Sequence, residues 1–286
     1  MNATTTSPLL EVRDLCVDYD VGGALAWRRR ALRVVRGISF TIAPGETYGL
    51  VGESGSGKST TGRAILRLAD VSAGTITFAG SDIVGLGRTA PLSYRGAVQA
   101  VYQDPVGSLN PRHRVGQAVT DALARHGVTD RTERRRRAAA AFEQVGLGTE
   151  HLTRLPSELS GGQLQRVAIA RALVLSPRLV VCDEAVSALD LSTQAQILDL
   201  LRDRQAETGV SYLFITHDLG VVRHIAHQVG VLRAGELVEQ GTTSRVLDAP
   251  SHEYTKKLLA ASLSPHPAGR ESRRAARIAA RGGVAA

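Results

Sequence analysis

Residues 48–60, YGLVGESGSGKST, decide how the rest of the chain is read. A short apolar run, YGLVG, feeds a glycine- and serine-rich turn, and a helix-forming run, KSTTGRAILRLA, follows at once. Gly52 to Ser59 fits G-x-x-x-x-G-K-[ST], with a strand before it and a helix after it, the setting in which that pattern cradles phosphate. A flexible Gly/Ser turn is the alternative, but it leaves the flanking elements unexplained. In the phosphate reading, the backbone N–H groups from Gly52 through Glu53, Ser54, Gly55, Ser56 and Gly57 close around the anion, and Thr60 lies where the helix begins. Lys58 can reach the β- and γ-phosphates, and the Ser59 hydroxyl can ligate Mg2+.

Three other apolar runs also end in polar chemistry. LVVCDE (179–184) finishes in Asp183 and Glu184, and two carboxylates closing a buried strand are costly unless a cation waits there. Asp183 suits Mg2+, and Glu184 suits orienting or deprotonating an attacking water. An acidic helix cap is the plainer alternative for the pair. VQAVYQ (98–103) ends in Gln103, and SYLFITHD (211–218) carries His217 directly after its strand. If these strands run parallel, all four segments emerge at one carboxyl edge, where open α/β sheets bind ligands.

Along the chain, 9–19 and 32–42 alternate like strands, APGE (43–46) is a turn, and GTITFAG (74–80) is another strand. A mainly helical stretch covers about 112–176, interrupted by LGTEHLTRLPSELSGG. From 179, strands and helices alternate, 229–241 reads as a hairpin around Ala234-Gly235, and a short helix falls near 252–263. The expected fold is α/β: a parallel sheet covered on both faces, an antiparallel N-terminal β portion and a helical insertion. Tyr19 closes the first strand, where it suits either stacking on adenine or an ordinary half-buried position.

With 286 residues and 43% hydrophobic composition, the chain can bury one or two substantial cores. No run approaches the roughly 18 apolar residues of a membrane span. The start, MNATTTSPLLEVRD, reads as no secretory signal, so a cytoplasmic location is expected. Cys16 and Cys182 are the two cysteines, too few for a metal or disulfide framework, and each reads as a small buried hydrophobe. The net charge of +8 is concentrated in three segments. Residues 28–36 carry +5, residues 131–137 carry +4 and residues 270–281 carry +4, leaving −5 for the remainder. That clustering fits solvated surface or attraction to anionic headgroups rather than duplex recognition, and no nucleic-acid partner is expected.

LSGGQLQR (159–166) raises a further question, because Ser160-Gly161-Gly162 opens a helix built to face an anion about a hundred residues from the first phosphate cradle. Taken together, the motifs resemble those of an ATP-binding cassette (ABC) ATPase over nearly the whole chain. The matching elements are the Walker A loop GESGSGKST, the Q-loop glutamine in VYQDP, the signature LSGGQ, the Walker B run LVVCD with Glu184, the D-loop SALD (187–190), and the switch histidine in ITHD. EAVSALD departs from the family's commoner EPTSALD. The resemblance implies a P-loop NTPase (RecA-like) core at about 8–104 and 177–248, a helical signature subdomain at about 105–176, and a C-terminal extension at 249–286 with a basic, disordered tail. It implies an ATPase using ATP and Mg2+, with Glu184 as base, His217 at the γ-phosphate, and Gln103 at the metal or attacking water. It also implies a head-to-tail pair with a second, identical or homologous ATPase. Ser160, Gly161, Gly162 and Gln163 would then cover the partner's γ-phosphate, and Asp190 would lie at the dimer contact.

VYQDPVGSLNPRHRVGQ and SHEYTKKLLAAS resemble the peptide-importer branch, which serves dipeptides, oligopeptides and in some members nickel or related solutes. No cysteine follows Cys182, so the cysteine-rich, iron–sulfur-like segment of some members is absent. The expected function is energising uptake of a di- or oligopeptide through separate permease subunits, fed by a solute-binding protein, at the cytoplasmic face of the membrane. A soluble ABC ATPase acting on DNA or ribosomes is the alternative. Chromosome-type relatives insert a long coiled coil between Walker A and the signature, and the interval here shows no sustained heptads. A small-molecule kinase would leave LSGGQ and ITHD without a role.

Overall fold

The computed structural model describes residues 7–21, 30–86, 90–105 and 107–262. The expected disordered tail therefore lies outside the described residues. In chain order the elements are β1 (Leu10–Val21), β2 (Arg30–Ile42), β3 (Thr47–Val51), α1 (Lys58–Ile65), β4 (Ala73–Phe78), β5 (Ser81–Asp82), α2 (Leu92–Ala97) and β6 (Val98–Tyr102). The helical stretch holds α3 (Val115–Arg125), α4 (Arg131–Gln144) and α5 (Gly161–Leu173). Then follow β7 (Leu179–Asp183), α6 (Leu191–Thr208), β8 (Ser211–Thr216), α7 (Leu219–Ile225), β9 (Gln228–Arg233), β10 (Glu236–Thr242), α8 (Thr243–Asp248) and α9 (Glu253–Ser262). The short helices α2 and α8 went unread in the sequence, and the loop at 146–160 contains two 3-10 turns, 149–153 and 156–158.

Two sheets form. β2-β1-β4-β5 is antiparallel throughout, as expected for the N-terminal portion. The second runs β10-β9-β3-β8-β7-β6, parallel from β9 to β6, with β10 added antiparallel at the edge. Every residue of β3 (TYGLV) and β8 (SYLFIT) is buried. Their mostly apolar character, with the buried polar residues Thr47, Ser211 and Thr216 at the strand ends, follows from cover on both faces, since an alternating pattern would put polar groups into one of them.

Helix starts are fixed by local chemistry. Asp130 accepts from the N–H groups of Thr132 and Glu133, Asp190 from Thr193, and Asp218 from Gly220 and Val221. Each satisfies donors that a helix start leaves open, worth typically ~1 kcal/mol per cap. α6 ends at Gly209 in the left-handed region, the usual glycine stop. One apolar cluster runs from α3, α4 and α5 onto β6, β7 and β8, joining Leu123, Phe142 and Ile169 to Val180 and Phe214. A second fills the space between the two sheets around α1, and a third lies under α7, α8 and α9. Cys182 is fully buried as expected, whereas Cys16 on β1 is only half-buried.

Candidate functional site

The parallel register puts the chemistry on one rim. Val51 pairs with Thr216 and with Val231, and Asp183 pairs with Ile215 and with Tyr102. Gly52, Glu184, His217 and Gln103 each follow one of these residues, so the four segments do share a carboxyl edge.

The loop from 52 to 57 is tightly set. A Cβ on Gly52 would lie 2.1 Å from the Leu232 carbonyl oxygen, and one on Gly57 2.9 Å from that of Val34, with both residues at positive φ. Only glycine fits such approaches without moving backbone. Lys58 is 4% exposed, and its Nζ donates to the carbonyls of Gly52 and Glu53, both at 2.8 Å. Burial pulls its pKa down, and the carboxylates of Glu184, Asp183 and Glu53 work against that. Among the described residues the buried Ser56 hydroxyl has no hydrogen-bond partner. An unpaired buried hydroxyl is costly, and a phosphate oxygen is the kind of acceptor that would remove the cost. The loop therefore fits an anion on its own geometry.

Beside it, the Ser59 hydroxyl donates to Asp183 Oδ1 at 2.8 Å. Burial raises the Asp183 pKa, opposed chiefly by this hydrogen bond from Ser59. Hydroxyl and carboxylate oxygens are the hard donors Mg2+ prefers, and Gln103 is exposed one residue beyond the register partner of Asp183. Among the described residues no group of three His, Cys, Asp or Glu side chains could hold a metal. One carboxylate plus substrate oxygens is nevertheless the common Mg2+ arrangement, so the donor set fits.

Glu184 has φ +50°, a left-handed conformation unusual outside glycine. Its N–H donates to Ile215 O at 2.9 Å, and its own carbonyl accepts from the N–H and hydroxyl of Ser187 at 3.2 and 3.0 Å. This turn ends β7 and leaves the carboxylate 3.3 Å from His217 Nδ1. Strain held by several backbone bonds at a strand end is a common mark of a functional position.

The signature lies elsewhere. Ser160 caps α5, its Oγ accepting from Gln163 N–H at 3.3 Å while its own N–H donates to Gln163 Oε1 at 2.9 Å. Gly162 faces the start of α6, where a Cβ would meet Thr193 Cγ2 at 2.6 Å. Asp190, the cap of α6, is thus near the signature of its own chain, and Thr193 N–H holds its pKa down. Among the described residues, no hydrogen bond links Ser160 to Gln163 with the phosphate loop. Tyr19 is 39% exposed on β1, opposite Leu32.

Three residues missed in the sequence stand close to these groups. His151 Nε2 lies 3.3 Å from Gln163 Nε2, Gly235 N–H donates to Ser56 O at 2.9 Å, and the Tyr254 hydroxyl accepts from Glu53 N–H at 3.2 Å. Only the glycine had a visible signal, the hairpin turn at 234–235.

Known proteins are similar to this chain in sequence and in fold. The chain is 46% identical over 270 residues to the glutathione import ATP-binding protein GsiA of Salmonella typhimurium, covering 93% of this chain and 43% of that protein. The Escherichia coli protein of the same name is 45% identical over 268 residues, again with 93% and 43% covered. This chain therefore spans less than half the length of those relatives. Among solved structures, CbiO1 of Clostridium perfringens, part of the ABC transporter complex CbiONQ, superposes with a TM-score of 0.72 at 29% identity, covering 85% of this chain and 91% of its own. The ATP-binding cassette MJ0796, a dimer in a post-hydrolysis state with ADP and Pi, gives 0.70 at 26% identity, covering 82% and 98%. Residues 35–187, just over half the chain, match the family described as ABC transporter, and on that match the chain belongs to the ABC transporter family.

Proposed function

We propose that this chain is the ATP-hydrolysing subunit of an importer, energising uptake of a small peptide through separate permease subunits at the cytoplasmic face of the membrane. The observation that supports it most is the convergence of Lys58, Ser59, Asp183, Glu184 and His217 on one rim, with the Ser160 helix start left facing outward on another segment. The loop N–H groups and Lys58 hold the phosphates, and Ser59, Asp183 and Gln103 hold Mg2+, which would neutralise phosphate charge. Glu184 accepts a proton from water, and His217, bonded to that carboxylate, sits where it can meet the γ-phosphate. Tyr19 offers its exposed ring to adenine.

A lone domain lacks donors on the open side of the triphosphate. In a head-to-tail pair, the α5 N-terminus (Ser160, Gly161, Gly162 and Gln163) of one copy supplies them to the other, with Asp190 at the contact. The two phosphate-binding elements of the chain are thus halves of two different sites. Among the described residues no helix is long and apolar enough to cross a membrane; in this reading the separate permease subunits carry the solute. The relatives' names favour a glutathione-like solute, itself a small peptide.

The test is hydrolysis and uptake in vesicles carrying the permease with which the chain co-purifies. Stimulated ATP turnover with ATP-dependent accumulation of glutathione or a dipeptide supports the proposal. Retention on DNA or ribosomes at moderate salt, with no membrane association, would overturn it.

A further inference from the structure

Helix α9 reaches the phosphate loop. Tyr254, in the first turn of α9, is 7% exposed, and its ring lies in the same apolar cluster as Val51, Val229 and Val231. Val51 is the last residue of β3, immediately before the loop. From this seat the phenol oxygen accepts the Glu53 N–H at 3.2 Å. The Arg233 guanidinium, at the end of β9, covers the ring 5.1 Å from its centroid. Glu239 of β10 pins the segment leading into α9, accepting from Ser251 N–H at 2.7 Å and His252 N–H at 3.1 Å. Two strands thus fix where the ring can point.

The peptide unit that Tyr254 holds matters more than the residue. The Glu53 N–H and the Gly52 carbonyl belong to one planar group, so orienting one orients the other. That Gly52 carbonyl accepts Lys58 Nζ at 2.8 Å. Tyr254 and Lys58 therefore grip opposite ends of a single peptide plane. Lys58 Nζ donates its second bond, also at 2.8 Å, to the Glu53 carbonyl of the adjoining plane, so the setting of the Gly52–Glu53 plane fixes one of the two acceptors that hold the ammonium. At the far end of the loop, Gly235 N–H donates to Ser56 O at 2.9 Å. Outside its own strand and helix, the loop is thus held at two points by the C-terminal part of the chain.

We infer that Tyr254 is a positioning residue for nucleotide binding: it locks the Gly52–Glu53 peptide plane and so sets where Lys58 presents its charge. The inference rests on the reading of this loop as a nucleotide site. Its test is Tyr254→Phe in the full chain, which keeps the ring and removes only the hydroxyl that accepts from Glu53 N–H. MgATP binding is measured by titration, and amide hydrogen exchange is followed at Glu53 and across α9 and β9. The expected result is a rise in Kd of about fivefold, in the range one hydrogen bond commands, with faster exchange at Glu53 and unchanged protection in α9 and β9. A rise of twofold or more in that pattern supports the inference. A smaller rise would overturn it, as would loss of protection spread through α9 and β9, since that marks a purely structural tyrosine. Failure of the unsubstituted chain to bind MgATP would instead sink the nucleotide reading, and this inference with it.

Discussion

Replacing Glu184 by Gln separates catalysis from stability by magnitude. The backbone bonds that hold the turn, Glu184 N–H to Ile215 O and Ser187 to Glu184 O, do not involve the side chain and survive the change. Among the described residues the side-chain hydrogen bond altered is that with His217 at 3.3 Å, where the partners' side chains are 58% and 26% exposed, and the change also removes the carboxylate charge that acts on Lys58 and Asp183. Such an exposed pair contributes no more than ~1 kcal/mol to stability. Loss of a general base costs about 10²–10⁴ in rate, which is ~3–5 kcal/mol of barrier. Turnover should therefore collapse while the melting temperature barely moves and MgATP affinity stays within about twofold. Steady-state phosphate release, nucleotide titration and thermal unfolding on one preparation measure all three. Phosphate release within tenfold of the original rate would refute the assignment of Glu184 as base.

Two further outcomes follow from the same geometry. Lys58→Ala removes a buried ammonium that phosphate would pair with, a loss worth ~2–5 kcal/mol, so titration should show MgATP affinity reduced roughly 30-fold or more. Gly235→Ala forces a Cβ to within 2.5 Å of Val34 O at φ +90°. Calorimetry should record destabilisation of ~1–3 kcal/mol, and exchange at the Ser56 end of the loop should quicken, because Gly235 N–H holds it.

Much of the rim was legible in the sequence because each chemical residue directly follows a continuously apolar strand. The run before Gly52, the run before Glu184 and the run before His217 could be aligned by direction alone, and the parallel register brought them together. The signature was legible through its serine and glycines at a helix start. What stayed hidden joins residues far apart in the chain. Tyr254 meets Glu53 across 201 positions, and no local pattern announces such a contact. His151 beside Gln163 lies in a loop whose 3-10 turns carry no hydrophobic period. Cys16 sits in an apolar run but alternates with the buried Leu15 and Val17, so it faces the other side of β1 and is half-buried. The short helices α2 and α8, of six residues each, are too brief for a 3.6-residue repeat to show.

The signature is proposed to act on a partner's nucleotide rather than on its own. The most direct test is MgATP affinity of Ser160→Arg, measured where the chain is monomeric. The expected result is a Kd within about twofold of the unsubstituted chain, together with loss of ATP-driven pairing. A loss of affinity as large as that of Lys58→Ala would contradict it.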